Sequence, residues 1–221
     1  MDLSQRCFEL LKAGDMDGLG RLLKENRDAA EASGADGVSL LMHLLYRGQR
    51  DLAKAIAERK QELDIFEAAS LGRAKALDKL LGDASAINGY SKDGFTALHF
   101  ACYFGQPEAA RLLIEKGAKV DAVASNPTQV MPLHSAASSR NLEAARQLLK
   151  GGAPIDVRQQ GGWVPLHAAA QNGDRDMVAL FLEHKADVLL TNDDGKTAAM
   201  VAREKGHTQI AEVLEHRAKK S

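Results

Sequence analysis

The chain has few aromatic residues, few cysteines and no long apolar run, and each scarcity excludes a class of protein. It contains six Phe, three Tyr and one Trp among 221 residues. No stretch approaches the roughly 20 consecutive apolar residues that a membrane-spanning helix needs. Because 29 Lys and Arg balance 30 Asp and Glu, the broad attraction to phosphate that dominates non-specific nucleic-acid binding is missing. The sequence therefore predicts neither a membrane protein nor a nucleic-acid-binding protein.

The cysteines and the first residues indicate the compartment. Cys7 and Cys102 lie 95 residues apart, each inside an apolar helical pattern, which favours buried thiols over a disulfide framework. Charges at Asp2, Arg6 and Glu9 interrupt the apolar core that a secretory signal needs. We therefore expect a cytoplasmic protein.

The most informative feature is an internal repeat. One shared position of seven aligned units holds Phe8, Met42, Phe66, His99, His134, His167 and Met200. The last four are spaced by 35, 33 and 33 residues, and Gly follows six residues later in every unit except the fifth, which has Arg140. A period of this length indicates stacked supersecondary units.

Each unit has the pattern of two helices joined by a tight turn. Pro132 and Pro165 stand at the first position of a helix, where the missing N–H would have had no intrahelical partner. The Gly that follows supplies the left-handed backbone that ends the helix. No unit can bury its own apolar face, so the units must stack to form one core.

The segments T-A-L-H (96–99), M-P-L-H (131–134) and V-P-L-H (164–167) resemble the helix start of ankyrin repeats. The match is strong over 92–215 and weaker over 1–91, and the whole is similar to free-standing microbial ankyrin proteins. The resemblance implies an all-α ankyrin-repeat solenoid of about seven helix pairs with short β-hairpin loops, here called fingers. We expect one domain, 1–221, with units at 1–35, 36–60, 61–91, 92–124, 125–158, 159–191 and 192–221, the first and last serving as caps.

Two spacings depart from the period. Phe66 follows Met42 by only 24 residues, so we expect no finger between units two and three and a direct link through 59–64. The 35-residue step from His99 to His134 places two extra residues in 124–129, so that finger should bulge.

The recurring histidines invite a metal site, but stacked units separate equivalent residues by about 10 Å. Two imidazoles on one zinc must each lie about 2.1 Å from the metal. The ankyrin resemblance implies instead that this His braces the finger and the helix start by hydrogen bonding. Because Gly-rich phosphate loops, nucleophile elbows and His-Glu-x-x-His motifs are also missing from the sequence, we expect no catalytic residue, no metal and no cofactor.

The ankyrin resemblance implies that a partner binds the concave face. This face is formed by the position four residues before the shared position and by those four and five residues after it. The predicted partner-binding residues are Tyr46, Phe95, Tyr103, Phe104, Val130, Trp163, Gln171 and Asn172. Five of the ten aromatic residues fall on about twenty such positions, and Trp and Tyr are enriched at binding hot spots. An alternative stays open, in which these aromatic side chains pack within the stack.

The sequence thus predicts a non-catalytic, monomeric scaffold that binds an unknown protein or peptide through its concave face. One alternative is an enzyme or small-molecule-binding protein, with a site in the notch of the missing finger near Tyr46, Arg59 and Phe66. Another is self-assembly through an exposed end.

Overall fold

The computed structural model describes residues 2–82 and 86–220, and it consists of consecutive helix pairs joined by short loops. The α-helices of this part are α1 (Leu3–Ala13), α2 (Met16–Glu25), α3 (Leu40–Tyr46), α4 (Arg50–Ala57), α5 (Ile65–Ser70), α6 (Ala74–Leu80), α7 (Ala97–Tyr103), α8 (Pro107–Glu115), α9 (Pro132–Ser138), α10 (Leu142–Lys150), α11 (Pro165–Asn172), α12 (Arg175–Glu183), α13 (Ala198–Glu204) and α14 (Thr208–Ala218). Short 3₁₀ turns at Arg27–Glu31 and Gln160–Gly162 complete it. The expected all-α ankyrin solenoid is confirmed.

The helices stack in two layers with one core between them. The first helices of successive units, α5, α7, α9, α11 and α13, contact one another in order, and so do the second helices α6, α8, α10 and α12. Leu98, Leu113, Leu133 and Leu148 are fully buried, as expected for residues shared between neighbouring units. Cys7 and Cys102 are free and buried in the same core, as the sequence predicts.

The turn inside each pair needs left-handed backbone. The six glycines of the repeat all adopt left-handed backbone, for example Gly105 at φ 73°. They are Gly14, Gly48, Gly72, Gly105, Gly173 and Gly206. The fifth unit has Arg140 at this place, also left-handed at φ 59°. The geometry of the turn therefore persists where the residue type that favours it is absent.

In the fingers of units four, five and six, a backbone hydrogen bond joins the two sides of the loop. The amide of Ser91 donates to the carbonyl of Phe95, four residues on, and Gln159 to Trp163 likewise, both at 2.9 Å. In the fifth unit the bond joins the Ala124 amide to the Val130 carbonyl, six residues on, at 2.8 Å. The two extra residues that the 35-residue spacing predicts thus lie inside this finger. Only isolated β-bridges, and no β-strands, occur in the described fingers.

The in-register histidines join each first helix to the following finger. The Nδ1 atom of His99 accepts the Thr96 amide at 3.2 Å, and its Nε2 lies 3.0 Å from the Val130 carbonyl of the next finger. His167 repeats this with the Lys196 carbonyl at 2.9 Å. His134 reaches the carbonyl of Val157 at 3.1 Å. Because Nδ1 accepts an amide, Nε2 carries the proton and donates, so both ring nitrogens serve the backbone.

The third unit departs from this arrangement. Only residues 58–64 lie between α4 and α5, whereas 81–96 separate α6 from α7. The helix α5 is one residue shorter than α7. Phe66 holds the shared position of the repeat alignment, but Glu67 is the residue three positions after the N-cap, as His99 is in unit four. The buried carboxylate of Glu67 accepts the Asp64 amide at 3.2 Å and pairs with Lys60 at 3.0 Å. Glu67 thus binds the link that precedes its helix, whereas His99 binds the finger that follows its helix pair.

The left-handed turns predict that Gly→Ala changes the free energy of unfolding in opposite directions at a turn position and at a helix position. Gly105→Ala should lower the free energy of unfolding by about 1 kcal/mol, because a Cβ disfavours this φ although it meets no atom within 4 Å. Gly20→Ala, inside α2, should raise it by about 0.5–1 kcal/mol, because Ala favours helix and its Cβ makes only an ordinary contact with Leu52. Urea unfolding of both variants measures this, and equal signs would contradict the assigned turn geometry.

The histidine braces predict a loss of stability in mild acid. Burial lowers the pKa of His99 and of His134 to about 4, so the unfolded chain, with pKa values of about 6.5, binds more protons below neutrality. Their contribution is complete above about pH 7 and falls as the pH falls, by about 2 kcal/mol for each histidine near pH 5. The difference between the unfolding free energies of wild type and His134→Gln should therefore shrink from pH 7.5 to pH 5. His216→Gln, at an exposed position, is the control, and parallel profiles for wild type and His134→Gln would refute the assignment.

Candidate functional site

Several of the predicted partner-binding residues surround one groove of about 300 Å³ between units four and five. The groove is lined by Tyr46, Phe95, His99, Phe100, Tyr103, Thr128, Val130, His134, Ser135, Ser138 and Gln159. We call it the aromatic groove. Of the eight predicted residues, it brings together Tyr46, Phe95, Tyr103 and Val130.

The aromatic groove arises from a step in side-chain size between neighbouring repeats. Unit four presents Phe100 and Tyr103 at the positions one and four residues after its His, whereas unit five presents Ser135 and Ser138 at the same positions. Stacking sets large side chains beside small ones on an otherwise regular surface, and a depression results.

The aromatic rings of the groove hold one another in place. Phe95 lies edge-on to Phe100 with centroids 5.7 Å apart, and Phe66 approaches the same ring at 5.9 Å. Tyr46 and Tyr103 remain 41% and 49% exposed. The floor of the groove therefore consists of rings packed on the buried Phe100, while its rim offers two accessible tyrosines.

Phe104 requires a correction. It is only 6% exposed, stacks on Phe100 at 6.3 Å with an interplanar angle of 17°, and contacts the rings of Tyr46 and Tyr103. A side chain buried behind the groove cannot be a contact residue on an open face. Its role is to support the rings that line the groove, which is the packing alternative that the sequence left open.

The three predicted residues of unit six lie outside this groove. Trp163 is half-buried, and its ring lies 5.5 Å from that of His167. Gln171 is exposed at the end of α11. The Asn172 amide donates to the carbonyls of Ala137 and Ser138 at 3.2 and 3.1 Å, so this side chain already braces unit five.

The aromatic groove is electrically neutral near pH 7. None of its eleven lining residues is Lys, Arg, Asp or Glu, and burial keeps the pKa of His99 and of His134 at about 4. The Tyr46 hydroxyl donates to Asp93, and burial together with this carboxylate raises the pKa of Tyr46. Such a surface accepts an apolar side chain and offers hydroxyl and amide groups around it.

The notch proposed in the alternative interpretation is a second cavity of about 290 Å³. It lies where the third finger would stand, among Val38, Met42, Phe66, Phe100 and Tyr90, and Asp64, Lys92 and Asp93 border it. Arg59 is directed elsewhere, since its guanidinium donates to the Leu23 carbonyl at 2.6 Å. The Asp64 carboxylate caps α5 by accepting the Glu67 amide at 2.8 Å.

Sequence reasoning missed Phe100 and the polar residues Thr128, Ser135 and Gln159. Phe100 lies one residue after the shared position, where units five and six have Ser135 and Ala168. That contrast in size is visible in the aligned units and would have identified the groove. Thr128 and Gln159 come from fingers, and their approach depends on a hydrogen bond from the Gln160 amide to the Thr128 carbonyl, which the sequence does not specify.

Two further properties bear on function. Among residues 2–82 and 86–220, no group of three or more His, Cys, Asp or Glu side chains is arranged to hold a metal ion. Within the same part of the chain, no helix is long and apolar enough to cross a membrane.

A family model described as "Ankyrin repeats" matches the chain three times, over residues 10–124, 65–159 and 133–221. Relatives include a protein phosphatase 1 regulatory subunit 27 of Homo sapiens, 40% identical over 35% of this chain and 50% of that protein. The tyrosine-protein kinase HTK16 of Hydra vulgaris is 31% identical over 59% of this chain and 17% of the kinase. A transient receptor potential cation channel subfamily A member 1 homolog of Caenorhabditis elegans is 29% identical over 80% of this chain and 14% of the channel. The chain thus spans half or less of the length of these relatives.

The contrast between two adjacent aromatic residues gives a prediction. Phe104→Ala should lower the free energy of unfolding by about 3 kcal/mol, because it removes a buried ring, whereas Tyr103→Ala should lower it by less than about 1 kcal/mol. Urea unfolding monitored by circular dichroism measures both values. Equal losses would contradict the assignment of Phe104 to the support and Tyr103 to the surface.

Proposed function

The chain belongs to the ankyrin repeat family, and from this premise we propose that it is a non-catalytic recognition module that binds a protein or peptide in the aromatic groove. Ankyrin repeats generally mediate protein–protein interaction. The fold alone does not define a partner, so the proposal rests on the site.

The observation that carries the proposal is the exposure of two tyrosines at the rim of a floor of mutually packed aromatic rings. Tyr46 and Tyr103 are among the few large apolar side chains left substantially exposed, although Phe95, Phe100 and Phe104 lie directly beside them. Contiguous exposed apolar surface is typical of interaction sites. Tyrosines with fixed rings offer a large contact area at little cost in conformational entropy.

The ionisable groups near the groove favour binding over catalysis. The Asp93 carboxylate accepts the hydroxyls of Tyr46 and Ser91, and Asp64 caps a helix. His99 and His134 use both ring nitrogens for the backbone. Groups that are committed in this way serve the scaffold and are poorly placed to transfer protons to a substrate.

The similarity to a protein phosphatase regulatory subunit is compatible with a role exerted through binding. We do not assign that relative's partner to this chain, because only 77 residues of the two chains align. The cytoplasmic location and the monomeric state remain predictions for this chain.

The proposal is tested by a matched pair of variants at exposed residues. Partners captured from the native source on immobilised protein are identified by mass spectrometry, and the dissociation constant of a purified partner is then measured by calorimetry. Tyr103→Ala should weaken binding about tenfold or more, as expected for truncation of a hot-spot aromatic residue. Leu189→Ala is the control, because Leu189 is 55% exposed but lies outside the groove.

Two results would contradict the proposal. One is unchanged affinity of the Tyr103→Ala variant with an intact circular dichroism spectrum. The other is an equal loss in both variants, which would place the contact away from the groove.

A further inference from the structure

Three cavities follow one another along the side of the solenoid that carries the fingers. The first, of about 870 Å³, lies between α1 and the finger of unit two and is bordered by Asp36. The second is the notch of about 290 Å³, which begins at the adjacent Gly37. The third is the aromatic groove, which shares Phe100 with the notch. An extended ligand in the groove therefore has open space toward α1.

The charge on this surface is uneven. More acidic than basic side chains border the first two cavities. The acids are Asp2, Glu9, Asp36, Asp64 and Asp93, and the bases are Lys12 and Lys92. These five acids and two bases give the first two cavities together a formal charge of −3, whereas no Lys, Arg, Asp or Glu lines the aromatic groove. The whole chain carries a net charge of only −1, so the local excess is not a consequence of overall composition.

Most hydrogen bonds to these carboxylates come from neutral groups, while Lys60 acts on Asp64, whose pKa is nevertheless raised by burial. Asp93 accepts two neutral hydroxyls, and Asp64 accepts a backbone amide. Asp36 accepts the Val38 amide at 3.0 Å and lies 3.1 Å from His43, and the amide bond is the main reason that the pKa of Asp36 is lowered. These three side chains therefore present negative potential to solvent at neutral pH.

We infer that the partner is an extended peptide segment with one bulky apolar side chain in the aromatic groove and Lys or Arg residues over the notch and the first cavity. The inference rests on the proposed function and specifies the chemistry of its partner. A neutral groove favours an uncharged anchor, because an ion would lose its hydration there without a counter-ion. Acidic cavities beside it favour cations by charge complementarity.

The spacing of the repeats sets the spacing of the partner's residues. Adjacent helices are about 10 Å apart, and an extended chain advances about 3.3 Å for each residue. The notch, bordered by the fingers of units two and four, is about one to two repeats from the groove, and the first cavity, between units one and two, is about three repeats from it. The basic residues should therefore lie about three to six and about nine residues from the apolar anchor.

A phage library of random short peptides, selected on the immobilised full chain, tests the inference directly, because selection requires no identified partner. Selected peptides should combine a bulky apolar residue with Lys or Arg on one side at the stated spacing. The affinity of one such synthetic peptide is then measured by calorimetry on four proteins. They are wild type, Tyr103→Ala, the double variant Asp36→Asn with Asp64→Asn, and the control Asp176→Asn with Glu108→Gln.

The double variant keeps both structural hydrogen bonds, because Asn retains the oxygen that accepts the Val38 and Glu67 amides. It should bind the peptide about threefold to tenfold more weakly than wild type, and this difference should shrink as the ionic strength rises from about 0.01 M to about 0.15 M. The control removes two exposed acids from α12 and α8, away from these cavities, and should bind like wild type.

The outcomes separate this inference from the proposed function. If Tyr103→Ala weakens binding but the double variant does not, or if the selected peptides lack Lys and Arg, the groove binds a partner and the inferred basic chemistry is wrong. If no peptide is enriched, or if Tyr103→Ala has no effect, the recognition groove itself is refuted together with the inference.

Discussion

The hydrogen bond from a buried histidine to the next finger is the interaction on which the rest of the structure depends. No helix pair covers its own apolar face, so each unit must be held in register with the next. His99, His134 and His167 do this by accepting an amide of their own helix start and donating to a carbonyl of the next unit, which are those of Val130, Trp163 and Lys196. The fingers that line the aromatic groove are thereby fixed to the core.

The third unit shows what happens when this brace is replaced. Glu67 occupies the histidine's place in α5, but its carboxylate turns back to Lys60 and to the Asp64 amide, in the 58–64 link that precedes the helix. A buried ion pair then holds the link, and the row of fingers is interrupted. The same change that shortens the unit opens the notch between Val38 and Asp93.

Sequence reasoning predicted the features that depend on local chemistry. Helix starts, left-handed glycines and the enlarged fifth finger follow from residue type and spacing, and the structure contains them. The position five residues after the shared one was misjudged, because its direction depends on the neighbouring unit. Phe104 is buried, the Ser139 hydroxyl donates to the Cys102 carbonyl at 2.8 Å, and Asn172 donates to Ala137, so this position faces the stack. The position before it, held by Tyr103, Ser138 and Gln171, is exposed in each case.

Two independent variations of the repeat meet at unit four. The step from Phe100 to Ser135 creates an apolar depression, and beside it, next to the unit with the short 58–64 link, lies a notch bordered by carboxylates. Each variation alone would give an unselective feature, either a small apolar hollow or a diffuse negative patch. Because Phe100 borders both cavities, the extended ligand that we propose would meet the two together, and its discrimination would depend on the distance between its apolar and its charged residues.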